Sequence, residues 1–191
     1  ELENLLHTIM KASKSVMKAD ACTLFLIDED TGDLVFRIAL SPVGELIKQI
    51  GQSQRLKIGE GIAGTVAKTG RSMIIKDAYK HPRFNPEYDK KTGFQTGSIL
   101  CSPLKIKGQT IGVCQVIHGR KKRRIFNGKD LFLFRMFCQS AALAVQNARS
   151  HEAMLSVQRM EKDMEFASSV QQSFLPQNPP RYEAFQFVAK T

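Results

Sequence analysis

Seven consecutive positions, Ala21-Cys-Thr-Leu-Phe-Leu-Ile27, form a strand-length run that is apolar on both faces. Alternate side chains of a strand point to opposite sides, so such a run needs cover above and below it. It reads as a central strand with packed layers on both sides of its sheet. Asp20 precedes it, and Asp28-Glu-Asp-Thr-Gly32 supplies turn chemistry after it. Beyond the turn, Leu34, Phe36, Ile38 and Leu40 alternate with Asp33, Arg37 and Ala39, which predicts a hairpin with one wet face.

Around residues 3–18, Leu2, Leu5, Leu6, Ile9 and Val16 recur at helical spacing, with Lys11, Lys14 and Lys18 facing elsewhere. Pro42 opens a helix-like stretch to Ile50, and Gln54–Ile58 can form another strand. A short helix from Ile62 to Lys68 is ended by Gly70, and Ser72–Lys76 is a short strand. Residues 77–97 are a long polar segment, and so long a loop in a compact domain is usually functional or carries short helices. Ser98–Ile106 and Thr110–Ile117, joined at Lys107-Gly-Gln109, predict a second antiparallel hairpin. Strands flanked by terminal helices give an α+β fold, a mostly antiparallel sheet with helices on its faces.

A long helix runs from Asp130, its predicted cap, to about Leu175. Phe134, Cys138, Ala141, Val145 and Ala148 form one apolar stripe, suited to packing on the sheet. Ala153, Val157, Met160, Met164, Ala167 and Phe174 form another, at heptad-like spacing, and the phase shifts near Ser150. A parallel two-stranded coiled coil is the natural partner for the second stripe, which implies a homodimer. Pro176, Pro179 and Pro180 end the helix.

Lys+Arg 28 against Asp+Glu 18 leaves a net charge of +10, which favours anionic partners without specifying a fold. One basic run, Arg120-Lys-Lys-Arg-Arg124, reads as a solvated connection rather than a specific nucleic-acid site, because only Phe126 lies near it among aromatics. The four cysteines, Cys22, Cys101, Cys114 and Cys138, lie apart in apolar surroundings and form no CxxC pair. They read as core residues in a reducing, cytoplasmic setting. Charge interrupts every apolar run before membrane-spanning length, so no membrane partner is expected, and the start at Glu1 points to a piece of a longer protein.

No catalytic constellation is present: His7, His81, His118 and His151 are isolated, and neither HExxH nor GxSxG occurs. Gly59-Glu-Gly-Ile-Ala-Gly64 is not a Walker loop, since no Gly-Lys-Ser/Thr follows. It is either a helix start that needs glycine or a place where backbone N–H groups meet an anion.

Gly59–Gly70, Ile75-Lys-Asp-Ala-Tyr79, His81-Pro-Arg-Phe84, Thr92-Gly-Phe-Gln-Thr96, Ser98–Leu104 and Ile111-Gly-Val113 occur in an order that resembles a GAF domain over residues 1–148. The closest subgroup is that of cyclic-nucleotide phosphodiesterases and adenylyl cyclases. The resemblance implies an antiparallel sheet with helices on both sides and a small ligand, such as a cyclic nucleotide, under residues 77–97. It places Ile62 and Ala63 near the base, and Thr23, Asp89, Thr92, Thr96 and Gln115 around the ring and phosphate. Loop capping is the competing role for Asp89, Thr92 and Thr96, and a satisfied buried amide for Gln115. In that subgroup an Asn-Lys pair precedes the Phe and Asp matched by Phe126 and Asp130. Here His118-Gly119 stand in its place, so Arg120 or Lys121 is left to pair with Asp130.

Met164–Pro176 with Pro179-Pro180 and Phe185-Gln-Phe-Val-Ala189 resembles the entry to a PPM-type serine phosphatase domain of the SpoIIE/RsbU-like group. That resemblance implies three parts: a GAF domain at 1–148, a signalling helix at 149–175 and the start of a phosphatase domain at 176–191. The phosphatase metals, Mg or Mn, would bind only beyond Thr191, so no cofactor is expected in this segment. The whole protein would act on a phosphorylated anti-sigma-factor antagonist. A ligand-free GAF interaction module is the alternative reading.

Overall fold

A computed structural model describes residues 2–43, 55–122 and 124–174 of the chain. Its elements begin with helix α1 (Leu2–Val16) and strands β1 (Ala21–Ile27) and β2 (Leu34–Leu40). Helix α2 (Gly61–Thr69), strand β3 (Met73–Ile75), a 3-10 turn at Ala78–Lys80 and helix α3 (Glu87–Thr92) follow. Strands β4 (Thr96–Ile106) and β5 (Gln109–Gly119), a 3-10 turn at Arg120–Lys122 and helix α4 (Gly128–Phe174) complete the order. Two compact units divide the chain, Glu1–Ala148 and Arg149–Thr191.

The first unit holds one five-stranded antiparallel sheet in the order β2-β1-β5-β4-β3. β1 is interior, as its two apolar faces require, and β5 is the middle strand. Cys22, Leu24 and Leu26 of β1 pack with Leu100, Leu104, Cys114 and Val116 beneath α1 and the first part of α4. Phe25 of the same strand faces the opposite cluster, with Ile99, Cys101, Val113 and Ile62, Val66 and Ala67 of α2. Of the expected α4 stripe, Phe134, Cys138, Ala141 and Val145 are buried on the first face, whereas Ala148 is only half-buried and lies outside that cluster. All four cysteines are buried free thiols.

The β1–β2 hairpin departs from its alternating pattern. Phe25 pairs with Phe36, but Leu24 pairs with Ile38, so the register shifts across Arg37. This bulge sends Leu34 and Phe36 to one face of the sheet and Ile38 to the other. The predicted single wet face is therefore absent, because one extra residue inverts the pleat. The β4–β5 hairpin closes tightly between Ile106 and Gln109, with Lys107 and Gly108 both at positive φ (48° and 85°). Those angles match the turn that suits the sheet's right-handed twist.

Two further expectations change. Instead of a strand, the described part of 54–58 makes a single bridge, in which Leu56 and Leu34 exchange backbone hydrogen bonds of 2.8 and 3.1 Å. The backbone then turns directly into the approach to α2. The helix-like stretch expected up to Ile50 lies mostly outside the described residues. At the start of α4, the cap is Asn127, whose Oδ1 accepts from the Lys129 and Asp130 amides at 2.8 and 3.2 Å. Asp130 instead reaches back, its Oδ2 accepting from the Asn127 amide at 2.9 Å. The pair forms a reciprocal capping box, so Asp130 serves its own helix rather than Arg120 or Lys121.

In the second unit, the helix carries Met154, Val157, Met160, Met164 and Phe166 with more than half of each side chain exposed in the single chain. The expected phosphatase entry from Pro176 onward lies outside the described residues.

Replacing Asn127 with Ala should cost about 1 kcal/mol of stability by removing an acceptor for two orphan amides. Urea unfolding of the two proteins checks this, with a lower midpoint and an unchanged slope expected.

Candidate functional site

The second face of the sheet is covered by short segments, beginning with the glycine-rich entry to α2. Gly61 has φ of 61°, in the left-handed region that other residues resist. A Cβ on Gly64 would lie 2.4 Å from the Lys57 carbonyl oxygen and 3.0 Å from the Gly59 amide. The glycine pattern thus permits a close backbone crossing. Glu60, the N-cap of α2, makes no side-chain capping bond, so first-turn N–H groups beside Ile62 and Ala63 remain for another acceptor.

Residues 77–97 form a lid over the same face. Asp77 caps its 3-10 turn by accepting from the Tyr79 amide at 3.2 Å. The Tyr79 ring packs 5.1 Å from Phe84 and lies beneath the Arg120 guanidinium, 5.0 Å from its centroid. Asp89 on α3 is 7% exposed, and its carboxylate accepts from three donors. These are the Thr96 amide at 2.6 Å, the Thr96 hydroxyl at 2.7 Å and the Tyr79 hydroxyl at 2.9 Å. A single buried carboxylate therefore ties the 3-10 turn, α3 and the start of β4 together. Partial burial, and then the bond to Asp89, raises the Tyr79 phenol above its ordinary pKa, which keeps the donor protonated.

Between lid and sheet lies a cavity of about 150 Å³. Thr23, Ile62, Ala63, Asp89, Thr92, Thr96 and Gln115 all line it, so the seven residues singled out from the sequence converge on one space. Thr23 and Gln115 sit opposite each other on β1 and β5, and the Thr23 hydroxyl donates to Gln115 Oε1 at 3.5 Å. The polar atoms of the lid residues are engaged locally. Thr92 donates to the Tyr88 carbonyl at 2.7 Å and accepts from the Phe94 amide at 3.3 Å. Asp89 and Thr96 hold each other. Their loop-capping role is thus visible alongside their place on the wall.

Much of the wall is aromatic or aliphatic: Phe25, Phe36, Phe84, Tyr88, Phe94 and Ile99 are prominent in it. Phe25 and Phe36 meet edge to face at 5.4 Å. Arg83 stands at the edge, exposed, with its Nη1 donating to the Thr65 hydroxyl at 3.1 Å. Sequence reasoning missed these aromatics and Tyr79. A signal existed, since residues 77–97 hold Tyr79, Phe84, Tyr88 and Phe94 while aromatics average 8% of the chain. Such a surplus in a polar segment marks a loop with something apolar to cover. Among the described residues, no group of three or more His, Cys, Asp or Glu is placed to hold a metal ion.

A family model described as "GAF domain" matches residues 1–145. The chain belongs to the GAF domain family. A probable 3',5'-cyclic phosphodiesterase of Caenorhabditis elegans is 32% identical over 156 residues, covering 79% of this chain and 21% of that protein. The cGMP-specific 3',5'-cyclic phosphodiesterase of Drosophila melanogaster is 37% identical over 124 residues, covering 64% of this chain and 11% of that protein. This chain thus spans only a small part of those relatives. The GAF domain of a phosphoenolpyruvate-protein phosphotransferase from Coxiella burnetii superposes with a TM-score of 0.68 at 24% identity, covering 80% of this chain and 87% of that one. In this GAF domain, His118 at the end of β5 is fully buried and stacks on Phe126, with centroids 4.2 Å apart.

Gly64→Ala should destabilise the domain by about 1–3 kcal/mol, the usual range for forcing extra volume into packed structure. Thermal unfolding should show a midpoint lowered by several degrees, whereas Gly128→Ala, with open space around its Cβ position and no positive φ, should cost less.

Proposed function

We propose that this GAF domain is a sensor for a small ligand of cyclic-nucleotide size, bound beneath the lid. The observation that carries the reading is the convergence of all seven candidate residues on one covered, largely apolar cavity. The 37% identity to a protein named as a cGMP-specific phosphodiesterase supports the ligand class. The apolar walls suit a planar base, and the uncapped first turn of α2 suits an acceptor with negative charge.

The cavity's about 150 Å³ falls short of the ~300 Å³ at which small-molecule sites usually begin. Ligand entry therefore displaces the lid. That requirement gives the domain two states with different affinity, which any ligand-driven switch needs. The polar latch at Asp89 is a suitable element to exchange, since a hydrogen bond to a charged group contributes only ~1.5–3 kcal/mol net against water and a ligand's polar groups can replace it.

The alternative, a ligand-free interaction module, is favoured by the internal bonding of Asp89, Thr92 and Thr96. Thermal shift and titration calorimetry with cyclic GMP and cyclic AMP separate the two readings. At 100 times the dissociation constant, a ligand should stabilise the protein by about 2.7 kcal/mol. Gln115→Leu should weaken binding about tenfold by removing a polar group from the wall. No heat and no shift at millimolar concentrations of either nucleotide would remove the cyclic-nucleotide reading.

The output is proposed to be a homodimer that controls a C-terminal PPM-type serine phosphatase in the cytoplasm. The sequence resemblance at 164–189 supports the phosphatase, and the exposed stripe of Val157, Met160 and Met164 supports the dimer. Met160→Glu should shift sedimentation toward the monomer, because a charge in a helix–helix seam must be desolvated. A monomeric parent protein at high micromolar concentration would contradict the dimer.

A further inference from the structure

A second recess lies where the end of β3, the start of β4 and the turn after β5 meet, and it shares no lining residue with the cavity beneath the lid. It encloses about 260 Å³ and is lined by three exposed cations, Lys76 from the end of β3 and Arg120 and Arg124 from the connection after β5. None of the three takes part in an ion pair among the described residues, where the pairs are Arg55–Asp28, Lys80–Asp77 and Lys90–Glu87.

The backbone holds these cations in place. The Ser98 hydroxyl, 1% exposed, donates to the Arg124 carbonyl at 2.8 Å. The Arg120 amide donates to the Gln95 carbonyl at 2.8 Å, and the Arg120 guanidinium carbon lies over the Tyr79 ring, 5.0 Å from its centroid. Gly97 makes this approach possible, since a Cβ there would sit 2.9 Å from the His118 carbonyl oxygen and 3.1 Å from Arg120 backbone atoms. The single carboxylate on the wall, Asp77, already accepts from the Tyr79 amide and lies 3.9 Å from Lys80 Nζ. Three cations against one carboxylate leave an excess of positive charge in the recess, and an anion among them converts their mutual repulsion into attraction.

We propose that this recess is a binding site for the phosphate or pyrophosphate group of a small molecule. Guanidinium groups offer planar pairs of donors matched to phosphoryl oxygens, and Lys76 adds a point charge. The recess is distinct from the cyclic-nucleotide reading above and stands if that reading fails.

Titration calorimetry with pyrophosphate tests it, using the whole chain in low salt and then at physiological ionic strength. One-site binding is expected, weakening as salt rises. Lys76→Gln and Arg124→Gln should each weaken it by up to about fivefold, the range for an exposed ion pair. Lys90→Gln, outside the recess, should leave it unchanged, and equal thermal midpoints would show all variants folded. Saturating cyclic GMP should not compete. No binding at millimolar pyrophosphate, equal affinity in the recess variants, or displacement by cyclic GMP would each overturn the proposal. Tighter binding of a short single-stranded oligonucleotide, lost in the same variants, would overturn the small-molecule assignment in favour of nucleic acid.

Discussion

Both faces of the sheet must be covered, and the two faces are covered by very different means. On one side, Leu6 and Met10 of α1 and Phe134, Cys138, Ala141 and Val145 of α4 pack as long helices on a dry apolar surface. Burial there pushes the Cys22 thiol well above its ordinary pKa, so it remains a small uncharged core group. On the other side, cover comes from a nine-residue helix, a 3-10 turn and a six-residue helix. Elements that short leave space between their side chains and the sheet. The cavity is a consequence of covering an apolar face with an incomplete layer.

Closing that layer falls largely to polar groups. A carboxylate removed from water is costly unless donors replace the water, and Asp89 has three. Its partners come from the 3-10 turn and from β4, so satisfying one buried charge also fixes the lid's path. Apolar packing supplies a large, non-directional stabilisation that is lost in proportion to exposed area. A hydrogen-bonded latch behaves differently, since water or a ligand can take over its donors at small net cost. A lid of this kind is held shut in a defined position yet remains exchangeable.

The capping box at Asn127 and Asp130 shows how a family pattern can persist while its partner changes. Asp130 stands where the resemblance places it, but its carboxylate serves the start of α4. Arg120, the residue nearest the absent lysine's place, turns to the Tyr79 ring instead. The lid is therefore braced from one 3-10 turn to the other, at Ala78–Lys80 and Arg120–Lys122, with no ion pair from Arg120 to the helix among the described residues.

Local pattern was sufficient for much of this protein. Two-faced apolarity made β1 an interior strand, Lys107-Gly108 closed the β4–β5 hairpin, and the stripe from Phe134 to Val145 found the sheet. These features depend on neighbours within a few residues, so periodicity and turn chemistry carry them. The seven wall residues were legible through the order of the family's motifs, while the aromatics of the lid were present in composition but carried no period. Tertiary structure alone decided the bulge at Arg37, because only pairing with β1 determines which residue is left over. It also decided what the polar atoms of Asp89, Thr92 and Thr96 bind, since a carboxylate or hydroxyl in a loop has many local partners of similar energy. The choice among them is made by which donors the packed sheet brings within reach, and that depends on contacts the sequence does not order.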